Sequence, residues 1–452
     1  MCCVAALMLL ANGCGVAVRT ISETVQTVSN SMKEGRRGQL TQEEQYWAKV
    51  AWKYFDNNLN KKTGLVNTKD GFQLATMGST GDYLIALMAA RDFEFVSRHE
   101  FDARMTAIIG FLNNMPLFYG QLPNVNYSSN NGWMTNYANQ QGELGWSAMD
   151  IGRLLVALRI ARNRYAEYGE YIDKIVLRWN FCDMIDTAGQ LYGAANAGGY
   201  YNKFIEGKHG WKEYAARGFQ AWGFNTRATS SMEPVEQIRI FGKDLYYDGR
   251  DERDVGGNNA LITLPFLYDG LEFGWETINS ISIDGRYKEQ AQNVYAVQQL
   301  RYEKEDIYTA RTSRPLNNEP YFVYDALFSN GNKWNTVSED GTYYPQYAGV
   351  SIKAVFGMWA LWKTDYTDKL LNVVSTLFDP DRGWFEARIE RSGEVERTIT
   401  CSTNAMVLEA LWFKQNGRIY QPLGKEDFFF TIYLRDEFRN LNKCFPIKDD
   451  GR

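Results

Sequence analysis

The chain has 452 residues, a formal net charge of −5 and a pI near 5.5, and this mild acidity without a basic cluster argues against a nucleic-acid partner. Its 45% apolar content suffices for a core, while two His and six scattered Cys make neither a zinc pattern, a Ser-His-Asp triad nor a disulfide scaffold. The unusual figure is 15% aromatic residues, which suit large helix–helix cores and also stack on flat ligands.

The first stretch, MCCVAALMLLANGCG, holds an apolar run too short to span a bilayer and suited to a signal peptide over residues 1–14. LLANGC resembles a bacterial lipobox, with Ala11 where Leu is usual; Cys14 would then be lipidated. The expectation is a lipoprotein of the bacterial cell envelope, facing the periplasm or on the outer membrane, held by a lipid anchor. A plain secretory signal is the competing reading. Residues 15–40 are polar and suit a tether, 41–442 show no linker-like break and read as one domain, and 443–452 form a tail. Cys182, Cys401 and Cys444 allow at most one disulfide, its connectivity open.

Apolar residues at helical spacing predict helices over 42–60, 81–96 and 99–115. The loop 116–145 carries Trp133 and Tyr137 among Asn and Gln, groups that stack on and hydrogen-bond to sugars. The next helix, 146–166, is apolar on nearly every face, which marks it as buried. Glu143 precedes it, and Trp146, Asp150 and Arg153 lie in its first turns. Either Asp150 and Arg153 form an ion pair, or the helix mouth opens on a wet cavity. Helices 170–187 and 210–224 follow. The connection 225–262 packs Asp248, Arg250, Asp251, Arg253 and Asp254 behind two tyrosines, either a solvated run or a fixed loop at a polar ligand.

Helix 263–278 spaces Asp269, Glu272 and Glu276 on one face, as an outward acidic stripe or a cleft wall. Helix 285–304 leads to the connection 305–347, with Tyr321, Tyr324 and Trp334. The remaining helices fall at 348–362, 365–379, 402–417 and 425–440, with strand-like pieces at 189–194 and at 383–390, which carries Trp384 and Glu386. Short links alternate with long ones, as in a ring of helix hairpins whose long loops gather at one end. The fold expected is all-α, an (α/α)6 toroid of about twelve helices with long loops and small β-hairpins at one face. Two inner-type helices, 210–224 and 263–278, follow each other, so either a helix lies within 232–247 or the ring is irregular there.

TGLVNTKDGF, GWSAMDIGRLLVAL, WKEYAARGFQAWGF, PFLYDGLEFGW, PYFVYDALFSNGNKW and GWFEARIE with TNAMVLEAL, in this order, resemble a bacterial family catalogued as domain of unknown function 3131. The resemblance runs from about residue 42 to 420. It implies a helical toroid similar to glucoamylase-like, six-hairpin glycosidases, in a family that accompanies extracellular polysaccharide functions without an established reaction. Relatives carry TMWD where this chain has TMGST, so Ser79 stands where an Asp would be, with Asp82 three residues on.

The leading expectation is a glycoside hydrolase acting on a bacterial glucan or exopolysaccharide, probed at Glu272, Asp150, Asp248, Glu386 and Glu143. Such hydrolysis needs a carboxylic acid and a carboxylate, and toroids of this type are commonly inverting. Glu272 is expected as the acid, its aromatic surroundings raising its pKa, and Asp150 or Asp248 as the base. Arg153, Arg250, Trp133, Tyr137, Trp146, Tyr321, Tyr324, Trp334 and Trp384 would position a carbohydrate, with no cofactor, metal or nucleic acid. The rivals are a non-catalytic glycan-binding or assembly lipoprotein, favoured by Ser79, and a lyase with a Tyr base.

Overall fold

Capping residues set where the helices begin. Thr41 accepts from Glu44 N, Ser147 from Asp150 N and Thr400 from Thr403 N, each taking up a backbone donor that the first turn leaves free. A computed structural model describes residues 35–277, 281–422 and 443–445. The expected signal segment, Cys14, nearly all of the tether and the helix at 425–440 lie outside the described residues. The first six helices are α1 (Gln42–Asn58), α2 (Met77–Asp92), α3 (Arg98–Asn114), α4 (Ala148–Arg164), α5 (Gly169–Arg178) and α6 (Trp211–Ala221). They are followed by α7 (Arg227–Ser230), α8 (Leu264–Glu272), α9 (Tyr287–Glu305), α10 (Ile352–Leu361), α11 (Asp365–Val374) and α12 (Cys401–Asn416).

The even-numbered helices, α2 to α12, are buried over most of their surface and pack in a closed circuit, each against the next and α12 back against α2. At α4 and α6 the backbones themselves meet: a Cβ on Gly218 would lie 2.1 Å from the Gly152 carbonyl oxygen. Outside the circuit, α1 lies on α12, α3 on α5, α5 on α4 and α11 on α10. Of the two readings open for 232–247, a hidden helix or an irregular ring, the structure shows no helix there. No long outer helix separates α6 from α8; the four-residue α7 and an antiparallel hairpin, Val235–Ile240 with Lys243–Asp248, stand there, and α9 packs on the hairpin.

Links leaving three of these inner helices are short, at 93–97, 165–168 and 362–364, whereas long segments lead into their N-termini. Those N-termini adjoin one another: Asp150 of α4 reaches Gly78 of α2, Gly210 before α6 abuts Pro265 of α8, Lys353 of α10 bonds Ser402 of α12, and Cys401 of α12 bonds Ser79 of α2. The long loops and their β-hairpins therefore share one face. Among them are Tyr192–Asn196 with Tyr201–Ile205, and Gly383–Ile389 with Val395–Ile399.

The segment 263–278 departs from expectation. Its helix stops at Glu272, because Gly274 and Trp275 turn left-handed (φ 70° and 53°) and fold the indole back so that its N–H bonds the Phe266 carbonyl at 2.7 Å. Much of the aromatic content is core, with Trp146, Trp179, Trp222, Trp362, Trp384 and Trp412 fully buried. A disulfide joins Cys182 to Cys444, and Cys401 is a buried free thiol. No helix among the described residues is long and apolar enough to cross a membrane.

Candidate active site

Charge on the buried helix α4 serves two separate purposes. Arg153 points into the middle of the ring, where Nε donates to Asp82 at 2.8 Å, Nη2 to Glu409 at 2.9 Å and Nη1 to Tyr214 at 2.6 Å and to Glu272. Tyr268 stacks 3.9 Å from the guanidinium and donates to Asp82 at 3.2 Å. Burial pushes the carboxyls of Glu272 and Glu409 upward, because one cation faces three acids in a dry core. Glu272 is fully buried and Arg153 nearly so. Neither can meet a substrate: the expected acid and the expected positioning arginine are members of a core ion network. Asp269 is likewise buried, on Arg217 at 2.8 Å. Glu276 alone of that stripe is exposed.

Asp150 faces the other way, into the mouth formed by the inner helix N-termini. The Gly78 N–H and the Thr76 hydroxyl at the start of α2 lie close to its carboxylate and favour its charge. Only glycine permits this approach, since a Cβ on Gly78 would lie 2.8 Å from Asp150 Oδ1. Beside it stands Glu206, which accepts from Ser147 Oγ at 2.6 Å and from the Ala148 N–H at 2.5 Å at the start of α4. Both acids keep a window on solvent. Burial pushes Asp150 up to about 6, and burial with the charge of Asp150 pushes Glu206 up to about 7. The two therefore change charge around neutrality, although both sit at helix N-termini, where carboxylates are normally favoured.

Glu206 was not among the expected residues. It ends an exposed hairpin strand and begins the turn Glu206–Gly207–Lys208–His209–Gly210, with φ of 91° and 95° at the two glycines. Its sequence signal is an acid followed by two spaced glycines immediately before an inner helix. Asp248 fixes that turn rather than facing the mouth. It accepts from the His209 N–H at 3.2 Å and from Arg250 at 2.9 and 2.6 Å, and Arg250 also bonds the Gly207 carbonyl. Lys208 lies 4.2 Å above the Tyr324 ring and 3.2 Å from Glu339. Tyr137 has an exposed ring, and its hydroxyl is pushed upward first by loss of solvation and then by the charges of Asp150, Glu206 and Glu339.

The expected residues thus divide. Asp150, Tyr137 and Tyr324 converge with Glu206 at the mouth, and Asp248 and Arg250 stand one layer behind. Glu386 is buried at the entry to α12, accepting from Thr400 and from Thr403 at 2.6 Å, with Lys353 3.4 Å away. Trp384 packs against Trp47 and Phe356, Trp146 against Phe118 and Tyr201, and Trp334 under Arg301. The shared basin expected for Asp150, Asp248, Glu272 and Glu386 does not form, because partners distant in sequence neutralise the last two inside the core. Glu143, Trp133 and Tyr321 are exposed on the loop face. At the expected Asp position, Ser79 caps α2, its Oγ accepting from the Thr76 N–H at 3.0 Å, and Asp82 is held by Arg153. A groove of about 740 Å³ between α3 and α5 includes no residue of the mouth.

The fold has known counterparts. A glucoamylase candidate from Bacteroides caccae superposes with a TM-score of 0.60 at 15% identity, over 84% of this chain and 94% of that one. An endo-β-1,2-glucanase from Chitinophaga pinensis, solved with sophorotriose and glucose, gives 0.58 at 12% over 84% and 94%. One from Talaromyces funiculosus, solved with sophorose, gives 0.54 at 11% over 83% and 84%. These identities show a shared glucoamylase-like fold and nothing finer. No curated protein matches the sequence. Residues 46–417 match the family described as "Protein of unknown function (DUF3131)", and the chain belongs to that family.

Proposed function

We propose that this protein is a glycoside hydrolase of the cell envelope, built on an (α/α)6 toroid with one outer position replaced by a β-hairpin, and that it cleaves a glucan. The observation that carries the reading is the pair Asp150 and Glu206 at the adjoining N-termini of α2 and α4, both titrating near neutrality. Hydrolysis of a glycosidic bond needs one carboxyl that gives a proton to the leaving oxygen and one carboxylate that activates water. Glu206, at about 7, is the proton donor. Asp150, at about 6, is ionised when Glu206 still holds its proton, and it serves as the base of an inverting reaction. Tyr137 and Tyr324 offer ring faces at the mouth, and Lys208 and Glu339 offer donors and acceptors to sugar hydroxyls. The two β-1,2-glucanases of the same fold support a β-1,2-linked glucan as the first substrate to try. The Cys182–Cys444 disulfide supports an oxidising compartment, in keeping with a lipid anchor at Cys14.

The test is release of reducing ends from a panel of glucans headed by β-1,2-glucan, with wild type, Glu206→Gln and Asp150→Asn. Release by wild type that falls by orders of magnitude in both variants is expected; equal release by all three ends the assignment. A second reading, a glycan-binding protein without turnover, is favoured by Ser79 in its capping role. It would show as oligosaccharide binding with no new reducing ends from wild type.

A further inference from the structure

Behind the turn that carries Glu206 lies a second polar cavity of about 490 Å³, within the usual range for small-ligand sites, about 300–1,000 Å³. Its wall is made by the end of the hairpin and the loop after it, Tyr247 to Arg253, with Glu236, Asn259 and Gly331. Asp248 and Arg250 belong to this wall and to the Glu206 turn at once: they face the cavity and hold the His209 N–H and the Gly207 carbonyl. The cavity and the acid pair are thus two sides of one partition, with Lys208 and Tyr324 at its edge.

The chemistry of the wall selects among ligands. Arg250 is paired to Asp248, and Arg253 grips both oxygens of Asp251 at 2.8 and 2.6 Å. Those two pairs are neutral and do not call for an ion, while Glu236, which accepts from the Tyr247 hydroxyl, and Glu252 leave the wall net negative and unsuited to an anion. Among the described residues no group of three or more His, Cys, Asp or Glu is arranged to hold a metal. What remains available is a fixed array of hydrogen-bond donors and acceptors and one ring, Tyr247, itself braced against Phe328 at 4.5 Å. Little apolar surface is offered. Such a wall matches an uncharged polyhydroxylated ligand, whose hydroxyls take both donors and acceptors and whose C–H face lies on a ring.

We propose that this cavity is a distal glycan subsite, which binds sugar units of the same chain whose scissile bond lies at Asp150 and Glu206. The inference rests on the reading of the mouth as a glycoside-hydrolase site. Binding energy gathered there tightens long substrates and leaves the shortest ones little affected.

The experiment uses the full protein carrying Glu206→Gln, so that ligands survive, and isothermal titration with sophorose, sophorotriose and longer β-1,2-linked oligomers. Affinity should rise with chain length, and adding Tyr247→Ala or Arg253→Ala should remove about tenfold of that gain, with thermal melting reporting that the fold is intact. If affinity rises with length equally in both added variants, the subsite is overturned while the mouth assignment stands. If wild type neither binds nor cleaves any of these glucans, the functional reading fails and the subsite with it. Arg253 is exposed and lies outside the core, so its variant keeps the test informative should Tyr247→Ala unfold.

Discussion

Replacing either mouth acid with its amide should stabilise the fold while it abolishes turnover. Asp150 moves from 3.8 to about 6 on folding and Glu206 from 4.5 to about 7. Each gap is about two pH units, and at 1.36 kcal/mol per unit the ceiling is about 3 kcal/mol per group at full ionisation. Both groups keep a window on solvent, and screening there reduces the expected gain to about 1–2 kcal/mol each. The sign follows from linkage. A carboxyl whose pKa rises on folding leaves stability intact below its unfolded pKa. Stability is then lost as pH climbs to the folded value, between 3.8 and about 6 for Asp150 and between 4.5 and about 7 for Glu206. Asn and Gln cannot ionise and escape that loss. The assay is urea unfolding of wild type, Asp150→Asn and Glu206→Gln from pH 4 to pH 8. Near pH 4 the three should nearly coincide; by pH 7.5 the variants should lead by the amounts above. Variants that are less stable than wild type at pH 7.5, or a difference that does not grow with pH, would refute the claim that these acids are held against their solvation. Such a trade of stability for function is common at active sites.

Arg153→Met should destabilise by about 3–5 kcal/mol in the same assay, because Asp82, Glu272 and Glu409 would lose their shared cation; a loss under 1 kcal/mol would show that the network is dispensable. Gly78→Ala should lower kcat at least tenfold with a smaller effect on melting, since its Cβ must displace the Asp150 carboxylate; unchanged kcat would remove Asp150 from the reaction. Cys182→Ser should cost about 2–5 kcal/mol relative to the oxidised protein and nothing relative to the reduced one, with free-thiol titration reporting the redox state.

Much of the ring could be read from the chain. The unbroken apolar surface of 146–166 marks α4 as inner, and the alternation of short and long links shows that hairpins place their loops together. Asp150 was legible for the same reason: a carboxylate in the first turn of a buried helix needs a partner or water. Glu272 misled because its spacing from Asp269 marks one face of a helix, whereas every face of α8 is buried, and its partner Arg153 lies 119 residues away. Glu206 was hidden because its strand is exposed and lacks an apolar rhythm, and because it meets α4 58 residues upstream. The hairpin that replaces an outer helix has its signal in VEQIRI and KDLYYD, short runs rich in β-branched and aromatic residues on either side of Phe241–Gly242.

The pH dependence of kcat/KM on β-1,2-glucan bears most directly on Asp150 and Glu206 as one working pair. Activity should rise as Asp150 ionises through about 6 and fall as Glu206 loses its proton through about 7, a narrow bell belonging to the coupled pair. In Glu206→Gln the residual activity should be orders of magnitude lower and lack the alkaline limb. A profile flat from pH 5 to pH 8, or a bell that survives unchanged in Glu206→Gln, would contradict it.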